Sequence, residues 1–217
     1  MSHATRPPVT ADEKTIKALL AAYACPVPFH EVRTRFLGGI ASPGLLVSPL
    51  DVVKNLWGGE FPVFESLDAV NELVGALVNG LWNSLTRHQK RSEPFRLVRT
   101  NIAETRTGLA ELALIRRQEL DGFTEGLFGG EDELRLPAKA SSALDTLGEI
   151  RALIAGIHQL ASDASIPAEP SDIATSMMHV RELTRIAETE INHAVLDCAR
   201  ARRQAMGAAG TTRRTRH

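Results

Sequence analysis

Apolar residues recur every three or four positions along most of this chain, and this spacing constrains the fold more than any other feature. The clearest stretch covers residues 66–90, with apolar positions at Leu67, Val70, Leu73, Val74, Leu77, Val78, Leu81, Trp82 and Leu85. Such spacing lines one face of an α-helix, which must then be buried against a neighbour. No stretch alternates with a period of two for long. The sequence therefore predicts an all-α protein, a multi-helix bundle or array of about seven helices with short loops.

Prolines, glycines and capping residues set the predicted helix boundaries. A capping-box pattern of Thr10 and Glu13 begins the first helix, which ends near residue 24. Further helices are expected over 29–41, 49–57, 66–90, 94–128, 138–162 and 172–206, and a strand is an alternative for 45–47. Gly75 and Gly80 lie inside the 66–90 helix, where we expect each to mark the close approach of another helix.

These helices are expected to form one domain, 10–206, between two unstructured ends. Two helical lobes that meet near 91–95 are an alternative. Residues 1–9 contain two prolines and are expected to be a flexible arm. Residues 207–217 are expected to be a basic disordered tail.

The composition is that of a globular protein, with 43% apolar and 24% charged residues. Cys25 and Cys198 are too few for a disulfide framework or a four-cysteine zinc site, so two free, buried thiols are expected. The N-terminus has no apolar run typical of a signal peptide, and no run reaches the roughly 18–20 apolar residues of a membrane span. We therefore expect a soluble, cytoplasmic protein.

Three segments carry a resemblance to a known family. They are 36–43 (FLGGIASP), 48–60, which starts a helix at Ser48-Pro49 and ends in Leu-Trp-Gly-Gly-Glu, and 120–127 (LDGFTEGL). Over residues 15–130 the chain resembles the YecA/YgfB-like family of bacterial proteins. The resemblance implies an all-α fold and assigns no activity. The chain departs from the family pattern in having Arg35 before Phe36 and no cysteine-rich zinc motif.

The sequence contains one internal echo. Residues 56–60 (LWGGE) are matched by residues 127–131 (LFGGE), and each places an aromatic residue before two glycines and an acid. A duplicated helix–loop unit and ordinary helix C-capping by glycine both explain this echo.

A weak metal-binding motif lies near the C-terminus. Glu190 and His193 form Glu-x-x-His, and His179 and Glu182 lie upstream on nearly the same stripe. Di-iron bundles need this motif from two helices and two further glutamates. A polar flank beside an apolar stripe is the alternative interpretation.

No catalytic residue and no cofactor is predicted. Neither cysteine lies in the sequence signature of a thiol enzyme, and no Gly-x-Ser-x-Gly elbow occurs. The glycine pairs at 38–39, 58–59 and 129–130 lack the spacing of phosphate-binding loops, so we interpret them as helix stops.

Two basic segments and one apolar loop are candidate interaction sites. Arg87, Lys90 and Arg91 end the 66–90 helix, where cations also complement the helix dipole. The C-terminal segment 199–217 has six arginines and no acid, among them Arg213, Arg214 and Arg216. Trp57, Phe61 and Phe64 surround the Gly58-Gly59 turn, where they either close the core or contact a partner.

Three functional hypotheses follow. The first is a non-enzymatic helical protein that binds another macromolecule, most simply another protein, as an adaptor or regulator. The second is binding of nucleic acid or the ribosome through the arginine-rich C-terminus and the 87–91 cluster. The third is a metal-dependent activity built on Glu190 and His193.

Overall fold

A computed structural model of the chain describes residues 12–44, 47–131 and 133–214, and the side chains of those residues as far as 206. Its α-helices are α1 (Glu13–Ala22), α2 (Phe29–Ala41), α3 (Pro49–Asn55), α4 (Leu67–Val74), α5 (Asn83–Leu85), α6 (Arg106–Phe128), α7 (Ala138–Ser162) and α8 (Pro170–Arg214).

Helices α4 and α5 belong to one longer helix. A π-helical stretch, Gly75–Trp82, joins them, and a 3₁₀ turn, Thr86–Gln89, follows α5. Counting residues 67–89 as one helix gives seven, and the described ranges contain no β-strand. The predicted all-α class with about seven helices is therefore confirmed.

Short polar side chains begin three of these helices. Asp12 accepts a hydrogen bond from the Thr15 amide at 2.8 Å. Ser66 accepts one from the Ala69 amide at 3.2 Å, and Thr105 accepts one from the Gly108 amide. Each bond satisfies an amide that has no partner inside the helix. The observed cap of α1 is Asp12, and the predicted cap Thr10 lies outside the described residues.

The centre of the molecule is the crossing of α2 and α6, which have the most extensive helix–helix contact. Phe36 and Leu37 of α2 and Phe123 and Leu127 of α6 are fully buried there. Helix α6 also packs on α7, α7 packs on α8, and α8 returns to contact α2. One core cluster extends from Ile16 to Cys198, so residues on both sides of 91–95 share a core.

Glycines allow α2 and α6 to approach closely. A Cβ atom on Gly126 would lie 2.7 Å from the carbonyl carbon of Arg35. The prediction that the Gly38-Gly39 pair stops a helix is wrong, because both glycines lie inside α2. A Cβ atom on Gly38 would lie 2.6 Å from the backbone nitrogen of Leu127. The prediction of close approach at Gly75 is wrong, because a Cβ atom there would meet nothing within 4 Å among the described atoms.

Two predicted helix boundaries are wrong. Residues 94–105 are not helical, and α6 begins at Arg106 after its Thr105 cap. Helix α8 does not end near residue 206 but continues to Arg214, and no proline interrupts it. The predicted strand at 45–47 falls mostly on residues outside the description, and Val47 belongs to no strand. Over the described ranges, no helix has both the length and the apolar character that crossing a membrane requires.

Candidate functional site

An open groove with a volume of about 570 Å³ lies between segment 90–96, the start of α7 and the middle of α8. We call it the α8 groove. The residues that line it are Lys90, Arg91, Pro94, Arg96, Lys139, Ser142, Ala143, Thr189, Glu190, Asn192, His193, Leu196, Asp197 and Arg200. It thus brings together two predicted sets, the 87–91 basic cluster and the Glu190–His193 motif.

The groove carries unneutralised positive charge. Of the carboxylates that line it, Asp197 pairs with Arg200 at 2.9 Å, whereas Glu190 lies 3.4 Å from the Nδ1 atom of His193, which is not a permanent cation. By contrast, Lys90, Arg91 and Lys139 have no carboxylate within 4.0 Å among the described side chains. The groove therefore favours an anionic ligand.

Side chains of α8 hold one wall of the groove, segment 94–98, in place. The Asn192 side-chain amide accepts a hydrogen bond from the Phe95 amide at 2.8 Å and donates one to the Phe95 carbonyl at 3.0 Å. Glu188 accepts hydrogen bonds from the Leu97 amide at 3.0 Å and from Arg96 at 2.6 Å. These bonds replace the helical pairing that the segment lacks, which explains why it stays ordered without regular structure.

A buried ion pair on α6 holds the next residue of the same segment. Glu119 accepts a hydrogen bond from the Val98 amide at 2.8 Å, and Arg116 donates one to the Val98 carbonyl at 2.6 Å. Arg116 and Glu119 are paired with each other and are almost fully buried. Burial raises the pKa of the Glu119 carboxyl, and the Arg116 charge opposes that shift.

His88 contacts the same segment at Glu93 and Phe95. Its Nδ1 atom lies 2.8 Å from the Glu93 carbonyl, and its ring meets the Phe95 ring edge to face at 5.3 Å between centroids. Burial lowers the pKa of His88, the hydrogen bond to Glu93 opposes this shift, and Arg87 and Arg33 add to it.

The metal candidates provide a pair of ligands rather than a set. His193 and Glu190 adjoin each other in the α8 groove, whereas Glu182 pairs with Arg185 at 2.7 Å, and His179 lies exposed one turn before Glu182. Across residues 12–44, 47–131 and 133–206, no three His, Cys, Asp or Glu side chains are grouped so that they could hold a metal ion.

The remaining predicted arginines are not among the described residues that line the groove. Arg87 adjoins the groove and pairs with Glu93 at 3.8 Å. Arg213 and Arg214 lie in the last turn of α8, where the structure describes the backbone alone, and Arg216 lies outside the described residues.

The apolar loop mainly closes the core. Trp57 donates a hydrogen bond from Nε1 to the Tyr23 carbonyl at 2.9 Å. Phe64 packs on Tyr23 with 5.0 Å between ring centroids, and Phe61 packs on Phe64 at 6.1 Å. All three predicted aromatic residues are half-buried against the main core, and Val63 at the loop tip is 94% exposed.

The sequence echo has a common conformation. Gly58, Gly59, Gly129 and Gly130 have φ angles of 80°, 104°, 60° and 93°, so both glycine pairs follow a helix in the left-handed region. This is the backbone that favours glycine after a helix, and it fits the C-capping explanation.

Of the cysteines, which are both free, Cys198 is buried as predicted, whereas Cys25 is half-buried.

Sequence reasoning missed the residues that build the site walls. Asn192, Glu188 and Glu119 have no motif around them, and their partners are backbone atoms between 20 and 100 positions away. A polar residue at a position of the apolar stripe of a predicted helix was the available signal, and Glu119 shows it, seven residues after Leu112 and four before Phe123.

Comparisons with protein-family models, with curated proteins and with solved structures found no match to this chain. The resemblance to the YecA/YgfB-like family therefore stays a prediction.

Proposed function

We propose that this protein is a non-enzymatic binding protein, an adaptor or regulator, whose α8 groove takes an acidic segment of a partner protein. The observation that carries the proposal is a set of three cations, Lys90, Arg91 and Lys139, that line the groove and have no carboxylate within 4.0 Å among the described side chains.

The lining of the groove suits a protein partner. Pro94, Ala143 and Leu196 provide apolar surface, and exposed cations surround it. A patch with an apolar centre and a polar rim is the usual anatomy of a protein–protein interface. An acidic segment that also carries leucines would match both parts of the groove.

The same lining favours a protein over a nucleic acid. Among the described residues, no Phe, Tyr or Trp lines the groove, so these offer no aromatic ring on which a base could stack.

A fluorescently labelled amphipathic peptide built from Glu and Leu tests the proposal against the full chain. We expect saturable binding that Lys90→Glu and Lys139→Glu each weaken about two- to fivefold, because each reverses a rim charge worth up to about 1 kcal/mol. Lys14→Glu is the matched control, since Lys14 is an exposed lysine of α1 with no carboxylate partner among the described residues.

Equal weakening by Lys14→Glu would show that the binding reflects overall charge and would overturn the groove assignment. A single-stranded RNA of similar length serves as the second arm. Tighter binding of the RNA than of the peptide would favour the alternative function below.

That alternative is nucleic-acid or ribosome binding through the arginine-rich C-terminus. It is favoured by the continuation of α8, which carries Arg213 and Arg214 on the same helix as the groove. It predicts RNA affinity that falls steeply with salt and is lost on truncation after Met206. RNA binding unchanged by the truncation would remove the C-terminus from consideration.

Membership of the YecA/YgfB-like family is part of the proposal. Two of the segments that resemble the family, 36–43 and 120–127, meet at the α2–α6 crossing, where Gly38 lies against the backbone of α6 and Gly126 against the backbone of α2. A shared requirement for this close crossing would account for the glycines in both segments.

Two free thiols fit a reducing compartment, and we propose that the protein works in the cytoplasm.

A further inference from the structure

A second cavity, with a volume of about 300 Å³, opens where segment 97–102 meets α6 and α8. Four arginines line it, Arg99, Arg116, Arg181 and Arg185, and we call it the arginine cavity. No residue lines both this cavity and the α8 groove. The arginine cavity is therefore a separate candidate site.

One side of the arginine cavity is apolar. Leu112 and Met177 line it and are 4% and 1% exposed, and half-buried Ile102 lies beside them. These residues belong to a small hydrophobic cluster at the start of α6, apart from the main core. A ligand in the cavity would thus contact aliphatic carbon on one side and guanidinium groups on the other.

Three of the four arginines are already neutralised. Arg116 pairs with Glu119, Arg181 with Glu104 at 3.0 Å, and Arg185 with Glu182 at 2.7 Å. Glu188, the carboxylate that lines the cavity, pairs with Arg96, which does not line it.

Arg99 is the exception. Among the described residues, its side chain has neither a carboxylate within 4.0 Å nor a hydrogen-bond partner. The cavity therefore has one uncompensated positive charge, which matches a ligand with a single negative charge.

We propose that the arginine cavity binds a small amphipathic monocarboxylate. A guanidinium group presents paired N–H donors that match a carboxylate, and the apolar side holds the aliphatic tail. A water molecule, with one non-hydrogen atom, occupies about 30 Å³ in the liquid. At that volume per atom, a cavity of about 300 Å³ has room for a ligand of about ten non-hydrogen atoms. An unbranched aliphatic acid of about eight carbons has that size.

Titration calorimetry of the full chain with octanoate tests the proposal. We expect saturable binding of octanoate, with octanol and acetate each at least about tenfold weaker, because octanol lacks the negative charge and acetate lacks the aliphatic tail. Arg99→Gln should weaken octanoate about tenfold, since it removes one charge-assisted hydrogen bond. Arg203→Gln is the matched control, because Arg203 is an exposed arginine of α8 that lines neither cavity.

Several results would overturn the proposal. Octanol binding as tightly as octanoate would leave only an apolar pocket, and acetate binding as tightly would leave only a charge effect. Equal loss in the Arg99→Gln and Arg203→Gln proteins would place the binding elsewhere. No saturation up to about 10 mM octanoate, near the weakest affinity expected for a ligand of ten atoms, would also overturn it. None of these results bears on peptide binding in the α8 groove.

Discussion

Replacing Gly126 by Ala should separate the two central helices. Nonbonded carbon atoms prefer to lie about 3.5–4.0 Å apart. A Cβ atom on Gly126 would lie 2.7 Å from the Arg35 carbonyl carbon and 2.8 Å from its Cα atom. Both neighbours are backbone atoms, which cannot rotate away. Helices α2 and α6 must therefore move apart by about 1 Å at their closest point.

The expected magnitude combines two opposing effects. Overpacking of this kind costs about 1–3 kcal/mol, and the lost contacts of Phe36, Leu37 and Phe123 put Gly126→Ala at the upper end. The helix propensity of Ala over Gly returns about 1 kcal/mol. We expect a net loss of about 1–2 kcal/mol, which lowers Tm by about 2–8 °C in a protein of this size.

Gly156→Ala in α7 is the matched control. A Cβ atom on Gly156 would meet nothing within 4 Å among the described atoms. Only the propensity effect remains, so we expect a gain of about 0.5–1 kcal/mol. Thermal unfolding followed by circular dichroism measures both variants. The reasoning is refuted if the two substitutions shift Tm in the same direction, because the close crossing would then have no energetic consequence.

Three further predictions concern the groove wall and the thiols. Asn192→Ala removes both side-chain hydrogen bonds to the Phe95 backbone. Amide hydrogen exchange at Phe95 and Leu97 should accelerate, and the free energy of unfolding should fall by about 1–3 kcal/mol. Unchanged exchange would contradict this role of Asn192. Burial lowers the pKa of His88 in the native state. Below about pH 6.5 the unfolded chain therefore binds a proton at this residue more readily than the native state does. The free energy of unfolding should fall as the pH drops below that value. Urea unfolding at neutral and acidic pH should show a smaller fall in His88→Gln, and an identical fall would assign the effect to other groups. Burial raises the pKa of Cys198 to about 11. Iodoacetamide at about pH 8 should therefore modify half-buried Cys25 before Cys198. Intact-protein mass spectrometry can follow the modification, and denatured protein is the control that reacts at both thiols.

Local sequence rules predicted most of the helices. The spacing at 67–85 and the glycine and proline stops act within a few residues, so the α7 bounds of 138–162 and the α2 bounds of 29–41 follow from them directly. The error at 94–105 has a different origin. That segment has an apolar pattern that fits a helix. The backbone of its residues 95–98 bonds instead to the side chains of Asn192, Glu188 and Glu119, which a local pattern cannot reveal.

The candidate site was predictable only in pieces. Arg91 and His193 were each singled out from the sequence, yet no spacing rule indicated that a return of the chain through α6, α7 and α8 would place them along one groove. The arginine cavity likewise draws on Arg99 between helices, Arg116 on α6 and Arg181 on α8.

The sequence by itself determined most of the helices of this chain, because helix formation depends on neighbours three and four residues away. Only the tertiary structure decided which charged groups are neutralised and which remain available. Lys90 and Arg99 resemble any other exposed cation in the sequence, and their lack of a carboxylate partner among the described residues depends on which side chains the packing brings near them. Charge pairing acts through space over a few ångströms, whereas the sequence records only separation along the chain.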